Sequence, residues 1–426
     1  MKEGLNMPYR EQIPIDHGID NTIKLLLEGY EYISNRRERF QSNMFETRVL
    51  GGQKAVCLSG EEAAKVFYDN EKFKRQGAAP KRVLKTLFGE DGVQTLDAAT
   101  HVNHKKLFMS LMNPEKLAEM TEIIKKEWER AIDRWTEMDE VVLYDEANKL
   151  LTKSVCEWAG VPLWANELDE RTKELNALFE AGGAVGPRHW QGRIAREKVE
   201  KWAAKHIENV RDGKLNPEED TALYKMAWHQ EENGKLMETG IASVELVNIL
   251  RPTVAVSVYI AFCALALHDF PEEKEKLETS VNEMYYQMFV QEVRRYYPFF
   301  PMAVARVRKD FLWKGHDFKE GTLVMLDLYG TNHHPDLWEN PNEFNPERFK
   351  NWDGSLFNFI PQGGGDYYMG HRCPGEGLTI EIMKASLEMM VHHMDYDVPA
   401  QDLDYSMTRM PSLPRSKFIM KNVRRK

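Results

Sequence analysis

Apolar residues recur at three- and four-residue intervals in six stretches of the chain, 115–137, 142–159, 197–211, 244–267, 282–296 and 376–394, the spacing that lines one face of an α-helix. Each stretch is predicted to be helical. Shorter pieces at 48–58, 311–313, 322–328 and 417–422 have strand composition, with Lys314-Gly315-His316-Asp317 as a turn between two of them. Long helices beside a little sheet give a mainly α fold with small β-sheets. The helical run at 243–261 is apolar along most of its length, which places it inside the molecule, and Arg251 and Pro252 interrupt it. A proline there removes one helical hydrogen bond and kinks the axis, at a cost of about 3 kcal/mol. A buried guanidinium needs an anion beside it. Two kinds of anion are open: a protein acid such as Glu245 or Glu292, or the carboxylate of a bound molecule.

The 426 residues are 42% hydrophobic, enough for a large core, and no Pro- or Ser-rich linker, repeat or low-complexity stretch divides them. One domain over 1–426 is expected. A net charge of −10 sets nucleic-acid binding aside, because phosphate affinity rests on clustered Lys and Arg. The basic end, Arg424, Arg425 and Lys426, reads as a solvated tail. Residues 1–11 lack the apolar run of a signal peptide, and no stretch approaches membrane-spanning length without charge. A cytoplasmic protein with no membrane span is expected. Cys57, Cys156, Cys263 and Cys373 show no paired spacing, as suits a reducing compartment, and the first three lie in or beside apolar runs as packing residues.

Cys373 stands apart from them. It ends a loop containing Gly363, Gly364, Gly365 and Gly370, and beyond Gly375 a helix begins. Helix N-terminal amides, with His371 and Arg372 alongside, favour a thiolate, and the glycines leave room for something flat and bulky. One sulfur ligand suits haem iron, which takes a single axial thiolate, and does not suit zinc. A buried free cysteine in a turn is the plainer alternative. Upstream, Glu292 and Arg295 lie three apart on one helix face and can pair, and Pro346-Glu347-Arg348-Phe349 offers Arg348 as a third partner.

That order of motifs resembles the cytochrome P450 superfamily. The match is closer to its fatty-acid peroxygenase branch, whose members hydroxylate or decarboxylate long-chain acids with hydrogen peroxide. Pro80-Lys81-Arg82, 107–112, Gly186-Pro187-Arg188-His189-Trp190, Arg251-Pro252 and Gln362-Gly363-Gly364-Gly365-Asp366 carry the likeness. Asp366 and Met369 stand where the usual superfamily signature has an aromatic and a glycine, an irregularity that this branch shares. The resemblance implies a cytochrome P450 fold with haem b held between a long central helix and the Cys373 loop. Cys373 is then the axial ligand, and Glu292, Arg295 and Arg348 lock the structure behind the haem. Arg75, His101 and Lys105 match positions at the haem propionates, and Phe88 an aromatic beside the substrate. Gln94 matches a position facing the iron, where glutamine accompanies hydroxylation; its plainer reading is a surface loop amide. Arg251 becomes the clamp for a fatty-acid carboxylate, with Arg251-Pro252 in place of the acid-threonine pair of ordinary monooxygenases. The substrate itself then supplies the acid–base group, and no obligatory redox partner is expected. Met302, where relatives commonly carry an aromatic, is expected to reshape the pocket. A reductase-dependent cytochrome P450 monooxygenase and a non-catalytic haem fatty-acid sensor are the alternatives.

Overall fold

The computed structural model describes residues 13–279 and 283–426, so the expectations resting on 1–11 and on residue 282 lie outside the described residues. Eight helices carry the argument: α1 (Ala98–Met109), α2 (Pro114–Trp135), α3 (Leu143–Trp158), α4 (Pro187–Arg211), α5 (Thr239–Val254), α6 (Ser257–Asp269), α7 (Glu283–Tyr296) and α8 (Glu376–Glu388). Local chemistry sets their ends. Asn113 caps α2 by accepting from the Lys116 amide at 2.9 Å, and Pro114 takes the first position, where no amide is needed. The buried face of α2 then reads Met120, Ile123, Ile124, Trp128, Ala131, Ile132 and Trp135, the stripe that the spacing predicts.

Most expected elements are present, and the departures have physical causes. The helix expected over 244–267 is two, α5 and α6. Pro252 brings no amide, and the chain tightens just beyond it, with Val256 N donating to Thr253 O at 3.2 Å and Val258 N to Ala255 O at 3.1 Å. The helix expected from 197 begins at Pro187, because its first turns lie at the surface and carry no apolar stripe. The helix expected over 376–394 leaves α geometry after Glu388 for a wider turn, and a strand starts at Met394. The strand expected over 48–58 is a hairpin, since Leu50, Gly51 and Gly52 all take positive φ. The last strand runs Ile419–Arg425, starting late because Lys417 and Phe418 are left-handed. Its end is no free tail: Arg425 pairs with Glu129 at 2.6 Å and Asp133 at 2.7 Å, and Lys426 with Glu278 at 3.3 Å.

The larger sheet contains β1 (Met44–Val49), β2 (Gln53–Leu58), β3 (Phe73–Lys74), β4 (Met302–Val307) and β5 (Leu323–Asp327) in the order β1-β2-β5-β4-β3. Only β2 and β5 run parallel, with Cys57 opposite Met325. Alternation assigns the two faces: Ala55, Cys57, Leu323 and Met325 join Tyr32 and Phe45 on one side, while Val56, Leu58, Val324 and Leu326 join Phe67 and Phe73 on the other. Cys57, Cys156 and Cys263 are buried packing residues, as expected.

The helices enclose the main core, and α5 and α6 run through it. The former packs on α3 and α4, the latter on α3, α7 and α8. Thr239–Asp269 has the length and apolarity of a membrane span, although it carries the charged Glu245 and Arg251. Its most apolar window is 94% buried inside the protein, as befits a core helix pair.

Candidate active site

Cys373 sits where the glycine-rich loop turns into α8. Its amide donates to Gln362 O at 3.1 Å, and Gln362 Nε2 lies 3.8 Å from its sulfur. The protein's own groups do not activate this thiol, contrary to expectation. Burial pushes its pKa up and Glu376 adds to the rise, while Lys105, the Gly375 amide and Arg294 offset only part. Arg372, beside it, is paired with Glu376, which takes its Nε at 2.6 Å. A coordinated metal removes a thiol proton outright, so the same sulfur still suits a metal ligand. The loop glycines answer first to the protein. A Cβ on Gly364 would stand 2.7 Å from Leu356 O, on Gly365 3.0 Å from Tyr68 Cβ, and on Gly370 2.6 Å from Asp366 O.

Two adjacent arginines of α7 hold the surroundings. Arg295 grips Glu292 with Nε at 2.7 Å and Nη2 at 2.8 Å, and Arg348 Nε reaches the same carboxylate at 3.2 Å. The remaining donors of Arg295 end on Asn332 O, Pro341 O and Glu343 O, so the expected trio is assembled and saturated. Arg294 turns the other way. It pairs with Glu376 at the start of α8 and donates to Gln362 Oε1 at 2.9 Å, which ties α7 to the Cys373 loop. The contacts of Arg294 with Glu376 and Gln362 escaped the sequence reading, because a basic pair in a helix says nothing about which cation meets which loop.

Arg75, His101 and Lys105 converge beside His371. The rings of His101 and His371 stack 3.9 Å apart. Arg75 lies over the Phe67 ring at 4.3 Å, and Lys105 donates to Arg372 O. Burial pushes Arg75 down to about 10, His101 to about 4 and Lys105 to about 8. Of the nearby carboxylates, Asp97 already accepts the Arg75 and Gln76 amides and the Arg308 guanidinium, and Glu376 is held by Arg294 and Arg372, while Asp366 lies toward Lys105. Several buried nitrogen groups with so little negative charge, next to one sulfur donor, fit a prosthetic group that bears carboxylates and a metal. Haem meets that description.

Across from Cys373, Arg251 is 6% exposed on α5. Its Nη2 donates to Asn248 Oδ1 at 3.3 Å, its Nε has no partner, and among the described residues no carboxylate lies within ion-pair distance. Both candidate protein acids are engaged elsewhere. Glu245 accepts from His104 Nδ1 at 2.6 Å and the Val93 amide at 2.8 Å, and Glu292 belongs to the trio. Burial, then the like charge of Arg196, pushes Arg251 down to about 9, and the Cys373 sulfur opposes the fall. Gln94 is half-buried, not a surface amide, and its Oε1 accepts from Asn248 Nδ2 at 3.2 Å. Phe88 ends a turn packed on the helical core, and its carbonyl accepts from Arg196 at 3.5 Å. Met302 opens β4 and packs on the Tyr32–Phe45 cluster of the sheet. Asn248 and His104 were missed. Asn248 had a legible signal, since Glu245, Asn248 and Arg251 form a polar stripe three residues apart on an apolar helix; His104 had none.

A family model described as cytochrome P450 matches residues 271–422. Among solved structures, cytochrome P450EX alpha (CYP152N1) with myristic acid is 51% identical, covering 98% of this chain and 100% of that one at a TM-score of 0.95. Ligand-free cytochrome P450 OleT is 38% identical, covering 97% and 99% at a TM-score of 0.94. The curated relative beta-amyrin 28-monooxygenase of Kalopanax septemlobus is 24% identical over 86% of this chain and 80% of its own length. The identity and cover of the two solved relatives leave one assignment for the sulfur loop and the saturated trio: the chain belongs to the cytochrome P450 family, in its fatty-acid peroxygenase branch.

Proposed function

We propose that the protein, acting as one domain over 1–426, is a haem-thiolate peroxygenase that uses hydrogen peroxide to oxidise long-chain fatty acids at the α and/or β carbon. The observation that carries this reading is Arg251, a buried cation without a protein anion among the described residues. Leaving such a charge unpaired costs several kcal/mol by order of magnitude. A bound carboxylate removes that cost, and P450EX alpha, 51% identical, was solved with the carboxylic acid myristic acid.

As a member of this family the protein uses haem iron. We assign haem b, with Cys373 as axial ligand and Arg75, His101 and Lys105 near its carboxylates. When bound, a thiolate-ligated haem supplies the oxidising chemistry that transfers one peroxide oxygen to a C–H bond. The chain's own residues do the rest. Arg251 clamps the substrate carboxylate, fixing the head of the chain so that the α and β carbons are the ones presented. Peroxide cleavage must move a proton from one oxygen to the other, and the clamped carboxylate accepts and returns it. Gln94 cannot do so, because an amide does not titrate; it orients. Pro252 occupies the stretch where a proton-delivering side chain serves other members, so no reductase is needed. Fatty acid and hydrogen peroxide give a hydroxy acid and water. Loss of the carboxylate instead gives a terminal alkene, carbon dioxide and two waters.

Arg251→Ala is expected to retain haem and lose peroxide-driven fatty-acid oxidation by two to three orders of magnitude, roughly what one positioned charge-assisted contact supplies. A short carboxylic acid added to the wild type should support oxidation of a non-acidic substrate. Full fatty-acid activity in Arg251→Ala, or turnover only with NADPH and a reductase, would overturn the reading.

A further inference from the structure

Behind Arg251 runs a buried polar chain that the proposed reaction does not itself require. His104 on α1 faces Glu245 on α5, Nδ1 to Oε1 at 2.6 Å, and both are buried. One turn along α5, Asn248 divides its amide. Nδ2 donates to Glu245 Oε2 at 3.1 Å and to Gln94 Oε1 at 3.2 Å, and Oδ1 accepts from Arg251 at 3.3 Å. The two ends of a primary amide have nearly the same shape, so the groups around it decide which end faces where. With two acceptors holding Nδ2, the oxygen is left for the guanidinium. The same bond occupies Gln94 Oε1 and leaves its Nε2 for a ligand.

Glu245 uses both oxygens as acceptors, Oε2 for Asn248 and Oε1 for the Val93 amide. His104 Nδ1 meets the same Oε1, so the imidazole fixes where that carboxylate stands. Burial works against a charged His104, yet the bond to Glu245, with help from Glu231, leaves its pKa above the ordinary value. Glu231 stands 3.4 Å from Nε2 and reaches the surface, while His229 packs edge-on at 5.9 Å and is held by Asn103. A sequence separation of 141 between His104 and Glu245 means that folding alone brings this pair together. A close approach of backbone seals it, since a Cβ on Gly92 would meet Asn248 Nδ2 at 2.8 Å and Gln94 Oε1 at 3.2 Å.

We propose that His104 and Glu245 are positioning residues which, through Asn248, set the direction from which Arg251 and Gln94 meet the substrate. The proposal rests on the reading of Arg251 as carboxylate anchor. If the pair served only to dock α1 on α5, losing it would lower stability and leave binding alone.

The test uses full-length haem-loaded protein, with myristic acid titrated against the haem absorption band and thermal melting recorded for each variant. His104→Gln, Glu245→Gln and Asn248→Leu should each weaken binding about tenfold, the scale of one misdirected charge-assisted contact. In an Arg251→Ala background the same changes should add much less than tenfold, because most of their effect runs through that side chain. Unchanged binding with a lowered melting temperature, or full additivity with Arg251→Ala, would overturn the positioning role while leaving the anchor standing. If Arg251→Ala itself binds myristic acid like the wild type, the anchor fails and the positioning role with it. Should His104→Gln not fold, Asn248→Leu decides the same question without removing a charge.

Discussion

Arg251 and Arg295 are both buried arginines of one chain, and their surroundings make them opposites. Arg295 has a bidentate carboxylate and three backbone carbonyls; Arg251 has one amide oxygen and an idle Nε. The first is finished as a structural element, the second is complete only when an anion arrives. The sequence showed that Arg251 intrudes on an apolar helix, but not that Glu245 and Glu292 were already taken, since partner choice depends on residues far apart in the chain. Gly92 offers a test at this scale. Its φ is ordinary, and an added methyl would press on the movable ends of Asn248 and Gln94. Gly92→Ala is therefore expected to fold and bind haem while losing at least tenfold in kcat/KM for a fatty acid; wild-type kinetics would refute the crowding argument.

Between elements, the trio around Glu292 joins α7 to the segment that carries Arg348, and the spacing Glu-x-x-Arg made that pair legible. Glu292→Ala strands two guanidiniums at a site with no exposure, and about 3–5 kcal/mol of stability should be lost, checked by denaturant unfolding. The helix expected over 244–267 divides just beyond Pro252, where the missing amide interrupts the ladder and the chain tightens. A second prediction concerns Asp327, at the end of β5. Burial pushes its carboxyl up to about 6 although the Gly330 amide and Ser34 donate to it. The unfolded chain releases this proton near 3.8. Between those values the native state holds the extra proton, so the contribution is full below the lower value and lost as pH rises through the upper. Asp327→Asn should flatten that part of the stability-against-pH curve, and an unchanged slope would contradict it.

For the whole molecule, the gathering of Arg75, His101 and Lys105 with little negative charge beside them means that a carboxylate-bearing cofactor stabilises the native state selectively. Haem loading should raise the melting temperature of the wild type, and the gain should shrink in Arg75→Met; an equal gain would remove Arg75 from the cofactor site. Taken alone, the sequence determined what repeats or sits close along the chain: helices from apolar spacing, the Glu292–Arg295 pair from a separation of three, one cysteine at a helix start, and the motif order that marks the family. Tertiary structure decided what depends on distant residues meeting. It placed the loop glycines against Tyr68 and Leu356, pushed the Cys373 thiol pKa up through burial and Glu376, pinned the basic end through Arg425, and left Arg251 without an anion among the described residues. The division has a physical reason: hydrophobic period and backbone propensity act over a few residues, but the ionisation and partners of a buried group are set by the three-dimensional field around it, which no local pattern contains.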